Sequence, residues 1–534
     1  MALVLLAVAH LLQLEGGEAA VDAHVHSADG PMSTCAVTPP PQLREASPLV
    51  FGMNDVLGPI INLTYGDTAL ISAVKALGVG ALRHPGGTVA NYWTMANGTY
   101  VGPDGASSSG CSNPPHWNYC TYEQRIAAHP PRTFSAEAFA RGVGAEIGAT
   151  VHDLNVFSMS TAQSIAELEA LAQAGVVITH LELGNEIYIS KNYAWRYPTA
   201  QDYAAACLPV VAAAKRIFPK VRIAVVGDCC GNAGWNANLS TQTMLLREVE
   251  AITMHKYGPP PGTVDLLPLA SQRSFIVASG EIVSAQMAET MRQHYPGLAL
   301  WRTEYNYPGG WVGPLPSVYA PEGGVHALFM AGHVLAALQH ERWAVPFEVL
   351  MMHCLVHQPS AGWTSSNSTL LIVGDGPNDS NAVQVGAVAQ IYAHLTHTAL
   401  KEHGWVGTPL LSASCPSSGL VAAQSGNFSC LQVAVFGDSS DPETQSRMTF
   451  VAMNRCEQTV RTTLQMPSGK SLWQVAATTY MGDDAGGWTA LASVPVVFPW
   501  TAPLRPASSV CNSGAAVTCA LPPVSLTFAT VTHS

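Results

Sequence analysis

Two glutamates each close a short apolar stretch of this 534-residue chain. The first stretch is Ile178-Thr179-His180-Leu181-Glu182-Leu183-Gly184-Asn185-Glu186. The second is Leu298-Ala299-Leu300-Trp301-Arg302-Thr303-Glu304-Tyr305-Asn306. Each reads as a strand that stops on a carboxylate. Alternation places Glu182, Gly184 and Glu186 on one face of the first, and Leu181, Leu183 and Asn185 on the other. Two carboxylates at the ends of strands of one sheet are what glycosidic-bond cleavage requires. One protonates the leaving oxygen; the other attacks the anomeric carbon or activates water. Glu186 is read as the general acid/base and Glu304 as the nucleophile. Their proton affinities must differ, Glu186 starting protonated and Glu304 ionised. A cation beside Glu304 would hold it ionised. Arg83, ending its strand just before Pro85-Gly86-Gly87, is the candidate, and the two glycines allow backbone to approach closely.

Positioning these groups takes a sheet whose strands all end on one side. Strand-like stretches occur at Leu49–Asn54, Ala81–His84, Asn155–Met159, Ile178–Asn185, Val221–Val226, Ile252–Tyr257, Leu298–Tyr305 and Phe347–Leu355. Helical patterns lie between several of them: 68–77, Ser135–Ile147 with Ser135 as N-cap, Ile165–Ala174, Tyr203–Phe218, Ile282–Tyr295 and Val325–Gln339. Eight strands with intervening helices predict a (β/α)8 TIM barrel over 49–360, with its site at the carboxyl ends of the strands. Both glutamates fall at such ends. After about residue 360, Gly, Ser and Pro punctuate short alternating strands at Leu431–Phe436, Met448–Asn454, Val460–Gln465, Trp473–Thr479, Val494–Pro499 and Val524–Val531. This predicts a C-terminal antiparallel β-sandwich over 361–534.

Four motifs in order carry a resemblance: Leu82-Arg83-His84-Pro85-Gly86-Gly87, Gly184-Asn185-Glu186, Thr253-Met254-His255-Lys256-Tyr257 and Thr303-Glu304-Tyr305-Asn306. The chain resembles clan A glycoside hydrolases from about residue 49 to its end. Within the clan it is most similar to the α-L-arabinofuranosidases and the heparanase/β-glucuronidase group. The resemblance implies retention of anomeric configuration, an arginine at Arg83, an asparagine at Asn185 that bonds the sugar's 2-hydroxyl, and a tyrosine at Tyr257 that bonds the nucleophile. His255 shares a strand face with Tyr257 and is placed near Glu186. Arg302 and Glu182 should point inward one layer below the catalytic pair, and buried charges there need partners. Trp93 is a candidate substrate contact, with Trp117, Tyr307 and Trp311 weaker ones. Arg-His-Pro-Gly-Gly with Tyr92-Trp93 leans towards an arabinofuranoside; Leu-Glu-Leu-Gly-Asn-Glu and Gly309-Gly310 lean towards a β-glucuronide. No cofactor is called for. The alternative of another class is a catalytically inactive barrel that binds glycans.

Composition bounds the partners. Net charge is −12 and charged residues are only 11 %, so a basic stripe for nucleic acid or a sulfated polysaccharide is not expected. The expected partner is a carbohydrate substrate; oligomeric state is not readable. Residues 1–20 read as a secretory signal peptide, an apolar run followed by small residues, and 21–48 as a polar leader. Six Asn-x-Ser/Thr sequons, at Asn62, Asn97, Asn238, Asn367, Asn378 and Asn427, and twelve cysteines agree with secretion or a lysosome-type compartment. Cys111/Cys120, Cys415/Cys430 and Cys511/Cys519 are natural local pairs; a vicinal bridge at Cys229-Cys230 or separate partners, Cys207 among them, stay open. His24 and His26 mimic a metal strand but sit in the leader, where an exposed tail is the better reading. The stretch from Gly87 to Pro131, with Cys111, Cys120 and His116-Trp117, reads as a stapled flap or a structural loop.

Overall fold

The computed structural model describes residues 33–55, 63–101, 126–189, 193–229, 233–258, 269–306, 324–357, 371–373, 383–385, 387–411, 415, 429–442, 444–456, 458–465, 473–481, 489–490, 506–507, 510–512, 517–521 and 523–533. Eight strands close into a parallel barrel: β1 (Gly52–Asn54), β2 (Ala81–His84), β3 (Ala149–Leu154), β4 (His180–Leu183), β5 (Arg222–Val226), β6 (Ala251–His255), β7 (Ala299–Tyr305) and β8 (Phe347–Met352). Each pairs with its neighbours in sequence, and β8 closes on β1 through Met351 opposite Gly52. The core layer inside the barrel joins Ala81, Val151, Ala224, Ala251, Ala299, Trp301, Val349 and Met351. Small side chains on four strands make room there for the fully buried indole of Trp301.

The surrounding helices start and stop where local chemistry dictates. In α1 (Thr68–Leu77) the Asp67 side chain accepts from the amides of Ala69 and Leu70, and Gly78 closes the end at φ 63°. The short α2 (Ala136–Arg141) is capped by Ser135. Reciprocal capping boxes open α3 (Thr161–Gln173), through Ser160 and Gln163, and α4 (Ala200–Ile217), through Thr199 and Asp202. Helices α5 (Leu269–His294), α6 (Gly324–Leu338) and α7 (Ala387–Thr396) follow. No helix among the described residues is long and apolar enough to cross a membrane.

The third strand is a correction. It runs Ala149–Leu154, not Asn155–Met159. The apolar run after it is a turn: the Asn155 side chain accepts from the amides of Phe157 and Ser158, the local bonding that takes Asn out of a sheet ladder. A strand carrying His152 and Asp153 was missed because those two adjacent polar residues interrupt its apolar pattern.

Beyond the barrel, a seven-stranded sheet (including Leu431–Gly437, Arg447–Asn454, Trp473–Met481 and Ser525–His533) faces a five-stranded sheet (including Val460–Leu464, Val510–Asn512 and Val517–Leu521). This is the β-sandwich. Alternate residues Leu431, Val433 and Val435 enter its core, whereas Ala434 and Phe436 join the barrel's core cluster. The larger sheet is therefore apolar on both faces. The stretch read as a leader supplies strands to both sheets: Ser33–Thr38 runs beside Val460–Leu464, and Arg44–Glu45 pairs with Trp405–Gly407. The expected strand Val494–Pro499 lies outside the described residues.

Disulfides correct one pairing. Cys35 bonds Cys415 and Cys430 bonds Cys456, so the expected Cys415/Cys430 pair is replaced by two bonds that tie more distant strands. Cys511–Cys519 forms as read. Cys207 is a buried thiol on α4 outside any disulfide, and Cys229 is disulfide-bonded. Cys111, Cys120, His24 and His26 lie outside the described residues.

Candidate active site

Above the Trp301 layer the barrel interior turns polar, centred on the fully buried Arg83 of β2. Its Nε donates to Glu182 Oε2 at 2.7 Å and its NH2 to Glu182 Oε1 at 2.9 Å, a two-pronged pair. NH1 donates to Glu304 Oε1 at 2.9 Å and to Asn54 Oδ1 at 3.1 Å. NH2 also reaches Asn185 Oδ1 at 2.9 Å and Asp153 Oδ2 at 2.7 Å. Asp153, on the corrected strand, is a third carboxylate that sequence reading missed. Burial pushes its carboxyl well up, with Glu182 and Glu304 adding to the rise against the pull of Arg83.

Glu304 is held from four sides. Besides Arg83, the Tyr257 hydroxyl donates to Oε2 at 2.7 Å, and His255 Nδ1 lies 3.7 Å from the same oxygen. Burial pushes this carboxyl up. His255, His353, Arg83 and the Tyr257 hydroxyl outweigh it and hold the group down at about 2. Glu304 is buried at the end of β7.

Glu186 stands just past the end of β4. The strand stops at Leu183, and Gly184 at φ 82° and Glu186 itself at φ 50° turn the chain. A glutamate in the left-handed region is strained, the kind of cost found at functional sites. The turn breaks the expected alternation: Asn185 does not face away from Glu182 but shares Arg83 with it. Asn91 locks this turn by donating from Nδ2 to the Asn185 carbonyl and accepting from its amide. The Tyr188 hydroxyl donates to Glu186 Oε1 at 3.3 Å.

His255 joins the two glutamates. Its Nδ1 is 3.1 Å from Glu186 Oε1, and its Nε2 is 2.9 Å from Thr303 Oγ1. Thr303 donates its one hydroxyl proton to Glu182 Oε1 at 3.0 Å, so it accepts from Nε2–H. Both ring nitrogens then donate, as in an imidazolium. Burial works against that charge, but Glu304 and Glu186 outweigh it and raise the imidazole's affinity. One ligand atom from each of Glu186, His255 and Glu304 lies within 4.8 Å of the others. Such a set suits a divalent cation, yet here the guanidinium, the phenol and the imidazole already supply the positive side.

Arg302 differs from expectation. It does not pair with Glu182 one layer down; its NH1 meets His333 Nδ1 at 2.6 Å, and its NH2 donates to the Lys256 carbonyl at 2.5 Å. It faces the helix layer because Trp301 and Thr303 take the interior positions. The ladder of β7 then slips against both neighbours, which returns Glu304 to the inside. Desolvation lowers the guanidinium to about 9. Trp93 is also relocated. It is 1 % exposed, in the core 5.1 Å from Tyr100 with rings edge to face, and offers no open ring to a sugar. Trp117, Tyr307 and Trp311 lie outside the described residues. Asp153, Asn91, Tyr188, Thr303 and Asn54 were not singled out from sequence; only the alternation Val151, Asp153 carried a signal.

No protein-family model matches the sequence, and no curated protein matches it. Solved structures do match in fold. The chain is similar to AbfB, a family 51 α-L-arabinofuranosidase from Bifidobacterium longum, with a TM-score of 0.64 at 16 % identity over 93 % of this chain and 99 % of that one. It is similar to an α-L-arabinofuranosidase from Thermotoga maritima, with a TM-score of 0.61 at 15 % identity over 94 % and 100 %. A family 44 xyloglucanase from Paenibacillus polymyxa gives 0.53 at 10 % identity over 94 % and 100 %. At these identities the likeness is one of fold.

Proposed function

We propose that the chain is a secreted, retaining O-glycosyl hydrolase that removes a terminal sugar from a glycan or glycoside, with an arabinofuranoside the leading substrate and a β-glucuronide the second. The observation that carries this is the pair Glu186 and Glu304 facing one another across His255, with oxygens inside 4.8 Å. Retaining enzymes hold their carboxyl groups about 5–5.5 Å apart, whereas inverting ones leave room for water at about 6.5–9.5 Å. In this reading Glu304, ionised by its cationic neighbours, attacks the anomeric carbon while Glu186 gives its proton to the leaving oxygen. A glycosyl-Glu304 ester results. Glu186 then takes a proton from water, which attacks the same carbon and frees Glu304. Arg83 and Tyr257 hold the nucleophile, and His255 positions both carboxylates. Asn185, anchored by Asn91 and Arg83, presents its amide towards the sugar.

The fold neighbours that are α-L-arabinofuranosidases support the arabinofuranoside, and the net charge of −12 disfavours a heparan-type polymer. The signal peptide at 1–20 and the sequons support the secretory route. The same reading assigns catalysis to 49–360 and an accessory role to 361–534. A panel of nitrophenyl glycosides tests it: the wild type should release nitrophenol from one sugar class, and Glu304→Gln should not. Equal inertness of both, with glycan binding retained, would leave the inactive glycan-binding barrel as the correct reading.

A further inference from the structure

Three large apolar side chains are exposed among the described residues: Val177, Met244 and Trp195. Val177 and Met244 precede β4 and β6, where the chain re-enters the barrel. Trp195 instead follows β4, in the loop that leaves Glu186 on the catalytic face. Its indole is 55 % exposed and stands edge to face on Phe157, centroids 4.9 Å apart. Phe157 comes from the loop after β3 and contacts Tyr193 at 4.9 Å and Tyr92 at 5.5 Å. Tyr193 closes the series: burial and the charge of Glu186 both push its phenol up, against hydrogen bonds from Asn91 and Thr88. Backbone bonds run from Ile189 N to Glu186 O and from Tyr193 N to Ile189 O. Arg196, over the Tyr197 ring at 5.6 Å, and the Tyr197 hydroxyl bonded to the Val156 carbonyl hold the segment in place.

We propose that Trp195 is the floor of a leaving-group subsite, stacking on a sugar ring beyond the scissile bond, so that the natural substrate is an oligo- or polysaccharide. This rests on the glycosidase reading above. Because Glu186 protonates the leaving oxygen, whatever departs lies beside Glu186, and Trp195 follows it in the same stretch between β4 and α4. An indole offers a flat apolar face with little conformational freedom to lose on binding. A sugar ring presents the axial C–H face that fits it.

The test compares wild type, Trp195→Ala and Trp195→Phe on 4-nitrophenyl α-L-arabinofuranoside and on α-1,5-linked arabino-oligosaccharides of two to six units. For Trp195→Ala, kcat/KM on the longer oligosaccharides should fall about tenfold, through KM, with the nitrophenyl glycoside unchanged. Trp195→Phe should recover part of the loss. Equal losses on both substrates, or none on either, would overturn the subsite. If the wild type cleaves the nitrophenyl glycoside but no oligosaccharide, the subsite falls and the glycosidase reading stands. If it cleaves no nitrophenyl glycoside of the panel above, the β-glucuronide included, the glycosidase reading falls and takes the subsite with it.

Discussion

Replacing Tyr257 by Phe takes one proton donor from Glu304 and leaves the ring. The lost bond is the 2.7 Å contact from the hydroxyl to Oε2. A hydrogen bond to a charged group contributes about 1.5–3 kcal/mol, and one pKa unit corresponds to about 1.4 kcal/mol. Glu304, held at about 2, should therefore rise by about one to two units. Arg83, His255 and His353 still face it, so it should stay below the ordinary 4.5. The sign is fixed: the nucleophile works ionised, so a higher pKa moves the acid limb of kcat/KM to higher pH. That limb reports groups of the free enzyme. The assay is initial rate against pH, with enzyme held near neutrality and diluted briefly into acid buffers. An acid limb at the same pH in both proteins, or one displaced downward, would show that the hydroxyl does not hold the nucleophile.

Glu186→Gln should reduce kcat by about 10²–10⁴-fold on glycosides with poor leaving groups, and far less with nitrophenolate, which leaves without a proton; a leaving-group series measures this. Acid should destabilise the fold well before Glu304 protonates. Burial lowers His152 to about 3, and His394 and His403 to about 4. Their neutral forms stabilise the protein fully above an imidazole's ordinary value of 6.5, and that contribution is lost as pH falls towards 4 and 3. Tm should decline steadily below pH 6.5, and a flat Tm from 7 to 4 would refute it. Replacing Cys35 and Cys415 by Ser opens a link spanning 380 residues; stability should fall by about 2–5 kcal/mol by calorimetry, with kcat/KM at 25 °C unchanged.

The barrel and the sandwich were legible because their elements carry period and punctuation: Asp67 and Gly78 bracket α1, and β7 is apolar from Ala299 to Trp301. Asp153 escaped because two adjacent polar residues, His152 facing His84 and Asp153 facing Arg83, make a buried strand look like a loop, while the apolar run after it, pinned by Asn155, looks like a strand. Arg302 was misdirected because strict alternation cannot see a register slip, and only the neighbouring ladders of β6 and β8 create one. Trp93 failed for a different reason. An aromatic ring after a barrel strand is equally suited to a sugar or to a core, and the Tyr100 hairpin decided for the core.

One guanidinium serves three carboxylates inside this barrel, and that imbalance explains the ionised state of Glu304. Arg83 cannot neutralise Asp153, Glu182 and Glu304 together, and buried charge without a partner is costly. Burial, reinforced by the other two acids, pushes Asp153 towards holding a proton. Arg83 is then left to Glu182 and Glu304. The second positive charge comes from His255, whose Nε2 proton is directed to Thr303 because Thr303 has given its own to Glu182. His255 Nδ1 lies 3.7 Å from Glu304 Oε2, and the charge on the ring favours the ionised form of that carboxylate. The hydroxyl of Thr303, two hydrogen bonds from Glu186 by way of His255, thereby fixes the proton arrangement beside Glu304.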